Sequence, residues 1–126
     1  MDNFYRENIL DHYKNPRNFG RLNRADSVYK QKNVSCGDMI CMQVKCGSGN
    51  GKGKTIEKIM FFGDGCAISI ASASMLTEKV LGLEVKKIKK LKSKDIISML
   101  GITLTPTRLK CALLPLEVLQ QALRKE

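Results

Sequence analysis

The chain predicts an α+β fold: an N-terminal helix, a three-stranded antiparallel sheet, then several helices packed on one face of that sheet. Three observations carry the prediction. Apolar residues recur at helical spacing before Pro16. Alternating and near-continuous apolar runs fill residues 38–63. Helical spacing returns after Gly65 and continues to the last residues.

In the first segment, "NFYRENILDHYKNP", the apolar residues Phe4, Tyr5, Ile9, Leu10 and Tyr13 form one helical face. Asn15-Pro16 ends it, because a residue before proline avoids helical backbone. A weak strand spans about Ala25–Lys32. In "DMICMQVKC" the side chains alternate, with Ile40, Met42, Val44 and Cys46 on one face and Met39, Cys41, Gln43 and Lys45 on the other. "GSGNGKGK" reads as a hairpin loop rather than a phosphate-binding loop, since no helix opens after it. "TIEKIMFFG" is the third strand.

"CAISIASASMLTEKVLG" is a helix closed by Gly82. A short basic helix, "EVKKIKKL", follows. Ser93 is placed to cap "KDIISMLG", which stops at Gly101. Thr105-Pro106 is a cap followed by proline at the first helical position. Pro115 conflicts with a helix running on from there, because an interior proline costs about 3 kcal/mol. The last helix is therefore expected to begin close to Cys111 or to kink at Pro115.

With 126 residues the chain is read as one domain, 1–126. No apolar run reaches membrane-span length, and "MDNFYRENIL" lacks the pattern of a signal peptide. A cytoplasmic protein with no membrane association is expected. Five cysteines in a reducing compartment are read as thiols, and no C-x-x-C pair is present. The net charge is +10, densest in "VKKIKKLKSK", 85–94. That run is either a solvated helix face or a docking surface for an acidic partner. Nucleic acid is not expected, because aromatic interleaving and a helix-turn-helix pattern are both missing. No Ser-His-Asp set is evident, so a self-contained enzyme is not expected either.

Strand geometry sorts the cysteines. At about 3.3 Å per residue, Cys36 and Cys46 stand roughly 33 Å apart at full extension. Cys41 faces away from Cys46, and both read as packing thiols. Cys36, Cys66 and Cys111 instead lie at element ends, where distant segments can converge. Cys66 opens a helix, whose unpaired N–H groups and macrodipole favour an anion such as a thiolate. Gly63 and Gly65 before it permit close backbone approach. Asp38 follows Cys36 by two positions across Gly37. Three thiols and a carboxylate form a candidate four-donor set for zinc or iron–sulfur chemistry. The sole histidine, His12, reads as a surface or packing residue.

These residues carry a family resemblance that covers nearly the whole chain. "HYKNPRNFG" (12–20), "SCGD" (35–38), "GDGCAISIASAS" (63–74) and "RLKC" (108–111) resemble, in order and spacing, the segments of the iron–sulfur cluster assembly scaffolds of the IscU, NifU N-terminal and SufU group. The resemblance implies an IscU-like fold with Cys36, Asp38, Cys66 and Cys111 binding the cluster or a metal. Lys110, Gly37 and Gly65 stand next to them. It also implies a labile 2Fe–2S cluster, built with sulfur from a cysteine desulfurase and passed to apo iron–sulfur proteins, with a cluster-bridged homodimer as one form. Cys111 is the candidate persulfide acceptor, and Asp38 the residue tied to cluster release.

The chain departs from the IscU pattern in two places. Lys110 precedes the third cysteine where IscU has histidine, as in SufU. The segment at the chaperone-read L-P-P-V-K motif is "LTPTR". Cys66 and Cys111 nevertheless stand 45 positions apart, close to IscU spacing. The alternative implied by the SufU features is a zinc-dependent sulfur acceptor acting with a desulfurase. In either case the protein is a scaffold or carrier, with sulfurtransferase-like activity belonging to the alternative.

Overall fold

The computed structural model describes residues 3–34, 37–48 and 53–126. Eight elements follow in order: α1 (Asn3–Lys14), β1 (Ser27–Asn33), β2 (Asp38–Ser48), β3 (Lys54–Asp64), α2 (Ala67–Val80), α3 (Val85–Lys89), α4 (Ser93–Leu100) and α5 (Pro106–Ala122). The strands form an antiparallel sheet in the order β1-β2-β3. This is the α+β arrangement the sequence predicts. The hairpin loop expected at "GSGNGKGK" centres on residues 49–52, which lie outside the described residues.

Burial assembles these elements. Ile40, Met42 and Val44 of β2, with Ile59 and Phe61 of β3, turn inward and are 2 % exposed or less. Over them lie α2, against β3, and α5, against β1 and β2. Each such side chain contributes about 1.5–3 kcal/mol on burial. A helix cap is worth about 1 kcal/mol. Packing therefore outweighs capping here, and α2 holds although Cys66, its N-cap, makes no side-chain capping bond.

Helix α1 ends where Asn15-Pro16 predicts, but its inward face differs from the expected one. Phe4, Leu10 and Tyr13 are exposed, while Ile9 and His12 are buried. The surface that α1 meets explains this. Ser74 of α2 stands 2.7 Å from His12 Nδ1 and also accepts the Arg17 N–H at 2.9 Å. A hydroxyl at that contact turns the imidazole inward. Burial first, then the neighbouring Arg17, hold His12 below its usual pKa, while Glu78 and Asp11 oppose that shift.

Two further expectations are corrected. Ser93 is the first residue of α4, not its cap; Lys92 holds the cap position, and its N–H donates to the Asp95 carboxylate at 2.8 Å. Helix α5 starts at Pro106, capped by Thr105, whose hydroxyl accepts the Arg108 N–H at 3.3 Å. The Thr105-Pro106 start is thus as the sequence predicts, and of the two alternatives for Pro115 the start near Cys111 is ruled out, because the helix runs on through Pro115. Pro115 is itself buried against the core, so its ring gains packing that offsets the missing N–H. The basic run forms α3 and the start of α4, with Lys86, Lys87, Lys89, Lys90, Lys92 and Lys94 all exposed.

Candidate metal centre

Three segments far apart in sequence meet at one end of the sheet. Asp38 opens β2, and its neighbour Met39 pairs with Asp64 at the end of β3. Two residues beyond Asp64, Cys66 caps α2. Cys111 comes in from above on α5, which packs on both α2 and β2. One donor atom from each of Asp38, Cys66 and Cys111 lies within 4.8 Å of the other two. Cys36 lies outside the described residues.

Hydrogen bonds fix this arrangement. The Cys66 N–H donates to Asp38 Oδ1 at 3.0 Å, and Cys66 Sγ stands 3.9 Å from Asp38 Oδ2. The Asp38 carboxylate thus receives an orphan donor at the start of α2 while facing a thiol. Ser69 donates to the Cys66 carbonyl at 3.1 Å, and its Oγ lies 3.9 Å from the sulfur. Asp38 is 2 % exposed and Cys111 1 %, while Cys66 is half-buried. Among the three described donors, Cys66 is the one that solvent reaches.

The glycines around Cys66 have a steric purpose. A Cβ on Gly63 would sit 2.0 Å from the Met39 carbonyl oxygen. A Cβ on Gly65 would sit 2.2 Å from Ser69 Oγ and 3.0 Å from Asp38 Oδ1. A side chain at Gly63 displaces the strand that carries Asp38, and one at Gly65 displaces the Ser69 hydroxyl and crowds the carboxylate. Gly37 differs: nothing crowds it, but its φ of 74° is left-handed, and it turns the chain into Asp38.

The serines of "AISIASAS" do more than keep α2 thin. Ser72 donates to the Ala112 carbonyl at 2.7 Å, tying α2 to α5 beside Cys111. Ser69, Ser72 and Ser74 are all fully buried. Sequence reasoning read them as small residues and missed their hydrogen bonds, although Ser69 and Ser72, three apart on one helix face, were an available signal. Lys110 is exposed and lines a separate cleft of about 330 Å³ with Gln31, Asn33 and Glu117.

The donor set suits a thiophilic metal. Donors around one tetrahedral zinc stand roughly 3.8 Å apart, a spacing the three side chains meet with small adjustments. Thiols with one carboxylate match zinc or iron–sulfur chemistry and not calcium or magnesium, which require oxygen shells. Cys41 and Cys46 take no part. Cys41 is 4 % exposed, and Cys46 packs against the core. Burial pushes both thiols above their ordinary pKa. The described cysteines are thiols, not half-cystines.

Known proteins share this architecture. The NifU-like N-terminal domain model matches residues 4–125. The zinc-dependent sulfurtransferase SufU of Bacillus subtilis is 37% identical over 143 aligned positions, covering 100% of this chain and 93% of that protein. That alignment is longer than the chain itself, so SufU carries inserted residues. The iron–sulfur cluster assembly scaffold protein IscU of Aquifex aeolicus is 39% identical over 120 positions, covering 95% of this chain and 74% of that one. The crystal structure of a putative SufU scaffold from Fervidobacterium islandicum superposes with a TM-score of 0.74 at 28% identity, over 93% of this chain and 94% of that one. A NifU-like protein from Brucella abortus, 18% identical, shares the fold with a TM-score of 0.73 over 98% of this chain and 94% of that one. Among the described residues, no helix is long and apolar enough to cross a membrane. The chain belongs to the NifU-like N-terminal domain family.

Proposed function

We propose that this protein is a scaffold on which a labile 2Fe–2S cluster is assembled, with sulfur supplied by a cysteine desulfurase, and from which the cluster passes to apo iron–sulfur proteins. The observation that carries the reading is the meeting of Asp38, Cys66 and Cys111 within 4.8 Å; support comes from the resemblance of their three segments to the family's ligand segments. Cys36, in the motif with Asp38, is the proposed fourth ligand. The cluster is cargo. Thiolates hold its iron, and the single carboxylate is a harder, weaker ligand that eases release. A cluster-bridged homodimer and a cytoplasmic location belong to the same proposal.

Cys111 is the proposed persulfide acceptor. Its thiolate attacks the outer sulfur of the desulfurase persulfide, the S–S bond breaks, and the desulfurase thiolate leaves. At 1 % exposure, Cys111 must first be uncovered by its partner.

A second reading rests on the SufU likeness over the whole chain and on Lys110 before Cys111. In that reading the same residues hold a zinc ion, which supplies Lewis acidity and keeps its ligand sulfurs deprotonated. The chain then accepts sulfur as a sulfurtransferase.

Anaerobic purification separates the two readings. Iron and acid-labile sulfide in equal amounts after reconstitution, with visible bands lost in Cys66→Ala, support the scaffold. One tightly held zinc per chain that resists exchange, with desulfurase turnover raised in the absence of iron, supports the carrier. A chain that takes up neither overturns both.

A further inference from the structure

Away from the thiols, the outer face of the sheet carries a feature that the proposed function does not use. Asn18–Gly20 runs along the free edge of β3, bonded both ways to Phe61 at 2.8 Å. The chain then crosses the outer face, and the Leu22 N–H donates to Gln43 Oε1 of β2 at 2.7 Å. Beneath this crossing lies a cleft of about 350 Å³, lined by Arg21, Leu22, Asn23, Arg24, Lys45 and Lys58. Four of these six residues are cations, and none is a carboxylate.

Lys45 and Lys58 are direct partners across β2 and β3. Like charges directly opposed in a sheet are destabilising. The nearby acids do not relieve them. A register shift between Lys45 and Cys46 leaves Glu57 as an extra residue on β3, and its carboxylate lies over Gly47. Asp26 accepts the Cys46 N–H at 2.9 Å. Among the described residues, none of the four cations forms an ion pair. Arg21 is steadied instead by the Phe62 ring, 4.0 Å from its guanidinium carbon.

We propose that this cleft binds a small, multiply charged phosphate-class anion. Two guanidinium forks and two ammonium groups around one concavity match several phosphate oxygens at once. A concave site favours a small ligand over the flat face of a protein. The bound anion offsets the repulsion that the sheet otherwise carries. Six strand positions, or roughly 20 Å, separate the Lys45–Lys58 pair from the Met39–Asp64 pair beside the thiols. The inference therefore stands apart from the metal reading.

The test is a titration of the full chain with pyrophosphate at constant ionic strength, followed by calorimetry and amide chemical shifts. Saturable binding is expected, with shifts at residues 21–24, 45 and 58. Arg24→Ala/Lys58→Ala should weaken it by about tenfold or more, and Lys86→Ala/Lys87→Ala should leave it unchanged. Lys58→Glu supplies a second readout that needs no ligand. It should melt above the unsubstituted chain and lose the pyrophosphate-dependent rise in Tm. The proposal is overturned if potassium chloride of equal ionic strength reproduces the effects, or if the Lys86/Lys87 variant loses as much. Binding of a single-stranded oligonucleotide but not pyrophosphate overturns it too, as does a lower melting point for Lys58→Glu.

Discussion

Cys66 and Cys111 at one end of the sheet, and Cys41 and Cys46 along its middle strand, are the same side chain in two settings. The first pair sits where a strand end, a helix start and a second helix meet, beside a buried carboxylate. The second pair lies within β2, one thiol on each face, and burial holds both protonated. Reactive chemistry requires convergence from several segments. A strand interior offers only its two faces, already filled by neighbours. Cysteine count alone says nothing of this division; position relative to element ends does.

Substitutions at the converging end should be the most disruptive. Gly63→Ala forces a methyl group into the Met39 carbonyl. It should cost about 2–3 kcal/mol in urea unfolding, and a cost near zero would mean that the strand ends are not held this tightly. Cys66→Ala should abolish retention of cluster or zinc, measured as metal per chain. Cys41→Ala should leave that stoichiometry unchanged, at a stability cost of about 1 kcal/mol. Equal metal loss in both variants would erase the distinction between the pairs.

The pH dependence of alkylation sharpens the same contrast. The folded pKa values of Cys41 and Cys46 lie above the ordinary 9.0. Both thiols therefore remain protonated at neutral pH. The reaction of Cys41, 4 % exposed, with iodoacetamide should be on the order of tenfold slower than that of half-buried Cys66, read by peptide mass spectrometry at pH 7.5. The stability contribution of Cys41 and Cys46 is complete below 9.0 and is lost as pH rises through the folded values. Unfolding midpoints should thus fall with increasing alkalinity, and by less in Cys41→Ala. The smallest effect is expected for Ser72→Ala. It removes the donor to the Ala112 carbonyl and should lower stability by about 1 kcal/mol, with the metal still retained.

Sequence alone determined the features that depend on near neighbours. Pro16 ends α1 because proline restricts the residue before it. Alternation in "DMICMQVKC" assigns Met42 and Val44 to the core and Lys45 to the outer face, because a strand has period two. Element-end positions singled out the candidate donors, and the resemblance carried by "SCGD", "GDGCAIS" and "RLKC" pointed to the family. Tertiary structure decided whatever depends on a partner distant in sequence. His12 turns inward because Ser74, 62 positions away, meets it with a hydroxyl. Pro115 stays within α5, where the fold buries its ring. Lys45 faces Lys58 because of a register shift that neither strand reveals alone. Local rules act over a few residues of backbone, whereas burial and charge act across space, and only the folded chain defines that space.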